Sequence, residues 1–515
     1  MPRPWWTKRV FYEAFVRSFA DSDGDGIGDL AGLTARLDAL NDGDPSTATD
    51  LGATGLWLMP IFDSPSYHGY DVVDYERVDP DYGDLDDLQA LLGAAHRRGM
   101  KVILDLVVNH TSRQHPWFQD ALAGGAHRDW YIWSETNPAW PAVAGGSPWH
   151  QSPAGDWYYG AFWEGMPDLD LRRPDVTDEV VRIAASWLDL GVDGFRIDAA
   201  KHLIETGPRD QVNTPETLAW LRTFRGRLHA DHPEALVLGE VYDPRAITLG
   251  YVTEGSLDLV FDFGVGPAAI GAARLGDPTT LTANLREVAE RYPAGSVASF
   301  LTNHDQARVM SELRGDVAGA GLAAAALLTG PGVPFVYYGE ELGMEGAKPD
   351  ERIRTPFPWT ADGPGHGFTT GTPWEAFGSD PESVNAALQA ADPGSLRSAY
   401  RDLIRLRADQ PELVTGAVIR LEASRADVAA TLRASEDGTA IVIQNLGPNQ
   451  VRDLALTLDE GPLCGRPRAA LAYATDGDLG RLVAPPEITP TGGLDGYVAL
   501  SRIPGRSTVV IDLTP

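Results

Sequence analysis

The sequence predicts an α/β protein built on a (β/α)8 TIM barrel, with a subdomain inserted after the third strand and a C-terminal antiparallel β-domain. Eight short apolar runs alternate with amphipathic helical stretches, one connection between them is unusually long, and the pattern turns to alternating strands after Pro411. Alternating strands and helices favour right-handed crossovers and a parallel sheet. Because there are eight such strands, we expect a closed barrel rather than an open sheet.

The eight apolar runs are short and rich in β-branched residues, as the buried strands of a parallel sheet are. They lie at residues 10–15, 55–58, 102–107, 194–197, 235–238, 257–260, 297–300 and 333–337. Amphipathic helical stretches such as residues 85–98 and 177–190 lie between them. We therefore assign residues 1–108 and 171–411 to the barrel.

Two further regions break the alternation. Residues 109–170 are rich in Trp, Pro, Gly and Ser without a clear helical period, and a loop of this length is usually functional or a small subdomain. Residues 412–515 contain alternating strand patterns at 429–432, 439–444, 497–500 and 508–511. We predict an inserted subdomain B at 109–170 and a C-terminal β-sandwich at 412–515.

The composition excludes several classes of partner. A formal net charge of −31, from 73 acidic and 42 basic residues, repels nucleic acid and anionic membranes but not a neutral substrate. Cys464 is the single cysteine, so neither an intrachain disulfide nor a cysteine-built metal site can form. No apolar signal core precedes the first strand, so we expect a cytoplasmic protein, or a secreted protein if a signal peptide has been removed. We also expect a monomer.

Three carboxylates each follow a predicted strand: Asp198, Glu240 and Asp305. In a barrel the carboxyl ends of all strands converge on one face, where active sites lie. Acidic groups so close together repel one another, which costs stability unless chemistry requires it. Glycoside hydrolysis does require two acidic groups close together, because one carboxylate attacks the anomeric carbon while a second, protonated carboxyl group gives its proton to the leaving oxygen. Taken one at a time, each could still be a surface or capping acid.

Seven segments, in their order along the chain, resemble those of a known family. Four of them resemble the signature regions of the α-amylase family of glycoside hydrolases: Asp105-Leu-Val-Val-Asn109-His110, Gly194-Phe-Arg196-Ile-Asp198-Ala-Ala-Lys201-His202, Gly239-Glu240-Val241 and Phe300-Leu-Thr-Asn-His304-Asp305. Three supporting segments are Gly55-Leu-Trp-Leu-Met-Pro60, Met166-Pro-Asp-Leu-Asp170 and Gly330-Pro-Gly-Val-Pro-Phe-Val-Tyr-Tyr-Gly-Glu340. The resemblance covers about the first four-fifths of the chain, and the tail fits the family's C-terminal β-domain.

The resemblance implies a role for each matching residue. It implies that Asp198 is the nucleophile, Glu240 the general acid/base, and Asp305 the carboxylate that holds sugar hydroxyls and steadies the transition state. Arg196 lies two positions before Asp198, so on a strand both side chains point the same way, and its charge would keep the nucleophile ionised. Further substrate-binding residues implied by the resemblance are Tyr70 as the ring on which the sugar stacks, His110 and His304 as its hydrogen-bonding partners, and Lys201, His202 and Arg354.

An acidic loop after the first strand is the candidate metal site. In Asp21-Ser-Asp23-Gly-Asp25-Gly-Ile27-Gly-Asp29, carboxylates alternate with other residues around glycines, and Ile27 offers its backbone carbonyl. The loop is not an EF-hand, because Gly32 stands where that motif needs a bidentate Glu. The resemblance implies structural Ca²⁺ here, and a second calcium site at Asn109, Asp168 and the backbone of His202. It implies no organic cofactor.

The bond and the product depend on positions that differ within the family. Tyr67, three residues before Tyr70, and Lys201-His202 resemble α-amylases, and Met166-Pro-Asp-Leu-Asp170 is typical of the subfamily between oligo-1,6-glucosidases and neopullulanases. Arg354-Thr-Pro356-Phe-Pro-Trp359 echoes a signature of exo-glucosidases. We expect hydrolysis of α-1,4 bonds in maltooligosaccharides or starch. An exo-acting α-glucosidase or oligo-1,6-glucosidase, a transglycosylase or trehalose-forming isomerase, and a non-catalytic relative remain as alternatives.

Overall fold

A computed structural model describes residues 3–143, 146–475 and 483–514. Its eight parallel strands form a closed barrel, numbered here in chain order: β1 Phe11–Ala14, β2 Gly55–Leu58, β3 Lys101–Leu106, β4 Gly194–Ile197, β5 Leu236–Gly239, β6 Leu259–Asp262, β7 Val297–Phe300 and β8 Val333–Tyr337. Each strand neighbours the next in sequence, and β8 neighbours β1. The predicted barrel is therefore confirmed, and the predicted ends of each strand lie within two residues of the observed ones.

Helices connect the strands and follow the last one. They are Val16–Phe19, Leu30–Leu40, Leu85–Arg97, Pro116–Leu122, Pro174–Asp189, Pro215–Asp231, Arg245–Thr253, Val265–Leu275, Thr279–Arg291, Val309–Glu312, Val317–Thr329, Asp350–Ile353, Ala386–Ala391, Leu396–Asp409 and Pro411–Thr415, with 3₁₀ turns at Trp5–Lys8 and Arg128–Trp130. Local chemistry explains their starts. Asp84 accepts hydrogen bonds from the amides of Asp86 and Asp87 in a capping box, and Pro occupies the first turn of Pro174–Asp189.

Within the described residues, no helix has the length and apolar character needed to cross a membrane.

The segment between β3 and β4 has structure of its own. Its short strands Trp133–Ser134, Trp149–Gln151 and Trp157–Tyr159 form an antiparallel sheet, and the helix Pro116–Leu122 precedes them. The helix is too short for its period to be visible in the sequence, which explains why the segment reads as non-helical. An apolar cluster of Trp149, Tyr159 and Ala161 anchors the sheet. A separate pair, Phe62–Asp63 and Asp74–Val78, follows β2.

The C-terminal region is an antiparallel β-domain, as predicted. A five-stranded sheet has the strand order Ala417–Arg420, Val428–Ala434, Thr439–Asn445, Ser507–Thr514 and Arg468–Ala474. A three-stranded sheet consists of Glu422–Ala423, Leu456–Leu458 and Leu494–Tyr497. Val451–Arg452 pairs with Arg502–Ile503. All three sheets contribute to one buried cluster, through residues such as Leu432, Leu456 and Ile503. One predicted strand is wrong: the strand lies at Leu494–Tyr497 rather than 497–500, because Ala499 and Leu500 are buried without belonging to a strand.

The chain divides into two compact units. One comprises Met1–Glu13, Asp38–Thr54 and Asp262–Pro515, and the other Ala14–Leu37 and Gly55–Phe261. Within the first unit, two buried arginines join the C-terminal sheet to the helices around it. Arg433 donates to the carbonyls of Thr329, Leu413 and Gly416, and Arg407 donates to Leu413 and to carbonyls at the turn before β8. These arginines satisfy carbonyls that helix ends leave without partners.

Candidate active site

Arg196 is the centre of the site in the unit Ala14–Leu37 and Gly55–Phe261. It lies on β4 directly opposite Asp105 on β3, because the parallel register pairs these two residues. Nη1 donates to Asp105 Oδ1 at 2.7 Å and to Asp198 Oδ1 at 2.5 Å, while Nη2 donates to Glu240 Oε2 at 2.6 Å. One guanidinium therefore binds the two carboxylates for which the sequence predicts nucleophile and general acid/base roles.

The charge on Arg196 is maintained by its neighbours. Burial alone lowers the pKa of this guanidinium, since its side chain is only 1% exposed. Asp105, Glu240 and Asp198 outweigh burial and raise the pKa well above its ordinary value. A permanent positive charge between the carboxylates reduces the repulsion that would otherwise oppose bringing them together.

A strained residue connects the two carboxylates. Ala199 follows Asp198 directly and has a φ of 47°, in the left-handed region that residues with a Cβ rarely adopt. This conformation directs its amide towards Glu240, whose Oε2 accepts from it at 3.3 Å. Glu240 is partly open, with 21% of its side chain exposed, whereas Asp198 is 11% exposed. Backbone strain at such a point is typical of functional sites.

Tyr70 and His110 form the wall next to Arg196. The Tyr70 hydroxyl donates to Asp105 Oδ2 at 3.2 Å, and the guanidinium carbon of Arg196 lies 5.8 Å from the centre of the Tyr70 ring. His110 is buried, its Nε2 lies 3.1 Å from the carbonyl of Tyr70, and burial lowers the pKa of its imidazole. The His68 ring stacks on the Tyr70 ring at 6.0 Å between ring centres, and its Nδ1 accepts a hydrogen bond from the Tyr70 backbone amide at 3.1 Å.

Lys201 anchors a loop that follows Glu240, and His202 is the next residue in sequence. Lys201 Nζ donates to the carbonyl of Tyr242 at 2.8 Å and to Asp243 Oδ2 at 3.0 Å. Burial, with repulsion from Lys201, lowers the pKa of His202 to about 4, so the imidazole is neutral near pH 7. The Phe162 ring lies edge-on to both His202 and His110, at 5.3 and 5.4 Å between ring centres.

Asp305 and its partners lie in the other compact unit. Asp305 follows β7 and keeps 44% of its side chain exposed. His304 is buried; its Nδ1 lies 2.5 Å from Glu13 Oε1 and its Nε2 lies 3.3 Å from Asp305 Oδ2. Burial opposes protonation of His304, but Asp305 and Glu13 more than offset it and raise the pKa of the imidazole.

Arg354 binds the same carboxylate. Its Nη2 donates to Asp305 Oδ1 at 3.0 Å and to Asp350 Oδ2 at 3.2 Å, and its Nε donates to the carbonyl of His304 at 2.9 Å. Its side chain is 3% exposed. The arginine that the sequence analysis connects with exo-acting relatives is thus a buried support for Asp305.

The acidic loop brings together part of the predicted calcium ligand set. Carboxylate oxygens of Asp21, Asp23 and Asp29 all lie within 4.8 Å of one another. Asp25 lies outside that group, and its Oδ1 accepts from the amide of Ile27. Burial raises the pKa of Asp25, and repulsion from Asp23 and Asp21 raises it further. The hydrogen bond from the Ile27 amide lowers this pKa but does not cancel the increase. Three hard oxygen donors this close together fit Ca²⁺.

The second predicted calcium site has an incomplete polar network. Asn109 Nδ2 donates to Asp168 Oδ2 at 3.0 Å, while Asn109 Oδ1 is buried and accepts no hydrogen bond from the described part of the chain. Burial and then repulsion from Glu205 raise the pKa of Asp168 well above its ordinary value. Burial also raises the pKa of Glu205 to about 7. The oxygen atoms of Asn109 and Asp168 fit a hard cation.

Sequence reasoning missed several residues that contact the predicted site. Asp105 stands inside a motif but received no role, although a charged residue in a buried parallel strand is itself a signal. Glu13 is likewise a buried acid, 1% exposed, on β1. Phe162 and Asp350 carry no such signal, because their contacts depend on loops whose course the sequence does not reveal.

Comparison with known proteins identifies the family of this chain. A family model described as the α-amylase catalytic domain matches residues 13–416. Alpha-amylase 3 of Dictyoglomus thermophilum is 38% identical over 449 residues, covering 86% of this chain and 85% of the relative. The trehalose synthase/amylase TreS of Mycolicibacterium smegmatis is 32% identical over 485 residues, covering 83% and 80%. The crystal structure of an α-amylase from H. orenii superposes with a TM-score of 0.84 at 37% identity, covering 98% of this chain and 99% of the other. The chain therefore belongs to the α-amylase family of glycoside hydrolases and is an enzyme acting on glycosidic bonds.

Proposed function

We propose that this enzyme cleaves α-1,4 bonds of maltooligosaccharides or starch with retention of configuration, as an α-amylase does. The observation that carries the proposal is the shared guanidinium: Arg196 donates to Asp198 at 2.5 Å and to Glu240 at 2.6 Å. Retaining glycosidases need two carboxyl groups close together, one as nucleophile and one as acid and then base. An arginine that binds both supports such a pair.

The proposed reaction proceeds in two displacements. A carboxylate oxygen of Asp198 attacks the anomeric carbon, the bond from that carbon to the glycosidic oxygen breaks, and protonated Glu240 gives its proton to the departing oxygen. Glu240 then removes a proton from water as the water oxygen attacks the same carbon and releases Asp198. Asp305 would hold the sugar hydroxyls, supported by Arg354 and His304. Two inversions give retention.

Residues around this pair favour chain hydrolysis over release of single glucose units. Lys201 anchors the loop after Glu240, and the pair Lys201-His202 resembles that of α-amylases. Tyr67 and the segment Met166-Pro-Asp-Leu-Asp170 resemble those of α-amylases and their intermediate subfamily, and one relative is named Alpha-amylase 3. The 32% identity to a trehalose synthase/amylase keeps a trehalose-forming isomerase as the second candidate.

We also propose that Ca²⁺ binds the Asp21–Asp29 loop as a structural ion. Oxygen donors of Asp21, Asp23 and Asp29 support this assignment. A bound cation would offset repulsion among the carboxylates and fix the loop that follows β1. Asn109, Asp168 and the backbone carbonyl of His202 would hold a second such ion.

Product analysis tests the proposal. Wild-type protein is incubated with maltotriose, soluble starch, pullulan, sucrose and maltose, and products are followed by chromatography and by proton NMR of the new reducing end. We expect rapid shortening of starch, maltooligosaccharide products and an α-anomer that appears first. Glucose as the sole product with poor starch cleavage would indicate an exo-acting α-glucosidase instead. Conversion of maltose to trehalose would favour the isomerase, and a β-anomer appearing first would refute retention.

A further inference from the structure

Trp163 presents a large apolar ring to solvent beside the candidate site. Its side chain lies in the segment between β3 and β4 and is 48% exposed, whereas Trp149 in the same segment is 4% exposed. The exposed indole leaves a large apolar surface in contact with water, and a ligand that covers the ring would remove that contact.

The backbone around Trp163 is built to hold the ring. A Cβ at Gly165 would lie 2.1 Å from Cζ2 and 2.3 Å from Cη2 of the indole, so the ring covers the place where a side chain would stand. Hydrogen bonds fix this short segment: the carbonyl of Gly165 accepts from the Arg113 amide at 2.8 Å, and the carbonyl of Glu164 accepts from the Tyr158 hydroxyl at 2.7 Å. One side of the indole therefore lies against backbone while the remainder stays exposed.

The preceding residue connects Trp163 to the candidate site. The Phe162 ring contacts His110 and His202 edge-on, at 5.4 and 5.3 Å between ring centres. His110 lies next to Tyr70, and His202 follows Lys201. Because Phe162 and Trp163 are consecutive, the backbone that presents the exposed indole is the same backbone that places the Phe162 ring against these histidines.

We propose that Trp163 is a stacking platform for a glucose unit of an α-glucan beyond the sugar whose bond is cleaved. The C–H face of a pyranose is apolar and matches an indole, and a neutral glucan is not repelled by this acidic protein. The platform makes the enzyme prefer chains longer than the shortest cleavable ones. This inference rests on the proposed function, because it names the part of the substrate that Trp163 binds.

Chain-length dependence in matched variants tests the platform. Trp163→Ala removes the ring, whereas Gly165→Ala leaves the ring in the protein but places a methyl group where it lies; φ of Gly165 is outside the left-handed region, so alanine fits the backbone. We expect kcat/KM for maltoheptaose to fall about tenfold in both variants, through KM, with little change for maltotriose. Trp163→Phe should lie between them and the wild type. The control is Leu275→Ser, an exposed residue of the other compact unit.

Two results would overturn the platform: unchanged kinetics on maltoheptaose in Trp163→Ala, or an equal loss on maltotriose and maltoheptaose in folded protein with the wild-type melting temperature. Binding gives a second measurement. In an Asp198→Asn background, maltoheptaose should change the tryptophan fluorescence when Trp163 is present and should bind about tenfold more weakly when Trp163 is Ala. Failure of the proposed function is distinguishable in the wild-type protein, which would then release only glucose from both oligosaccharides, convert maltose to trehalose, or cleave neither oligosaccharide.

Discussion

Arg354 binds Asp305 and the backbone just before it: Nη2 donates to Asp305 Oδ1 at 3.0 Å and Nε to the carbonyl of His304 at 2.9 Å. Asp305 is 44% exposed, so without this support its carboxylate could adopt several rotamers. A planar guanidinium makes two bonds at once that a lysine ammonium cannot reproduce.

Arg354→Lys should therefore lower kcat/KM while the protein remains folded. Loss of charge-assisted bonds to a group that acts in the transition state corresponds to roughly a 10- to 100-fold decrease. Steady-state kinetics on maltoheptaose measure it. Arg352→Lys is the matched control, an exposed arginine two residues away that should retain wild-type kinetics. Equal effects of both substitutions would contradict a specific role for Arg354.

Asp198→Asn should abolish turnover without loss of the fold. The amide is nearly isosteric and its oxygen can still accept from Arg196, but it cannot form the glycosyl ester. We expect kcat to fall on the order of 10⁴-fold or more, with an unchanged melting temperature. Activity on starch and thermal unfolding are the measurements. Full activity in this variant would refute the assignment of the nucleophile.

The His304–Glu13 pair should make stability depend on pH. Because Asp305 and Glu13 raise the pKa of His304 in the folded state, despite burial, protonation of His304 contributes stability that is fully present below its unfolded pKa of about 6.5. That contribution is lost as pH rises through the higher folded pKa. Glu13→Gln should lower the folded pKa, so its destabilisation should be largest in mild acid and shrink in alkali. Urea unfolding from pH 5.5 to 9 measures this, and a destabilisation independent of pH would contradict it.

Calcium removal should destabilise the protein if the acidic loop binds the ion. A ligand that binds only the folded state raises the free energy of unfolding, so EDTA should lower the melting temperature and added Ca²⁺ should restore it. Asp23→Asn should reduce this shift. Asp44→Asn, in an exposed acidic turn that we do not assign to calcium, is the control. Identical EDTA shifts in wild type and Asp23→Asn would argue against the loop as the site.

Much of the fold was predictable because the period of apolar residues, and the order of strands and helices, can be read directly from the sequence. Eight apolar runs between helices indicate the barrel, and the spacing of Arg196 and Asp198 indicates a shared direction on one strand. Contacts between strands were harder to predict from the sequence. The pairing of Asp105 with Arg196 depends on register, and the bond between Glu13 and His304 joins residues 291 positions apart.

The loops limited prediction most. The strand expected at 497–500 lies at Leu494–Tyr497, since burial of Ala499 and Leu500 gives the same apolar pattern as a strand. The contact of Phe162 with two histidines results from the fold of a 62-residue connection, by the predicted bounds 109–170, and no spacing rule gives its course. Residue chemistry and spacing identified the candidate carboxylates and Arg196, whereas the contacts of Asp105, Glu13 and Asp350 depend on how the chain folds.

Arg433 and Arg407 have a consequence for dissecting this enzyme into parts. The family match ends at residue 416, which suggests a convenient point for a shorter protein. Ending the chain there would remove Arg433 and leave the carbonyl of Thr329, at the end of the helix that leads into β8, without its donor. Arg407 would remain as a buried cation whose neighbouring sheet had gone. The C-terminal sheet is therefore an integral part of the folding unit that contains β8, and a protein shortened at 416 should be recovered as insoluble or unfolded material.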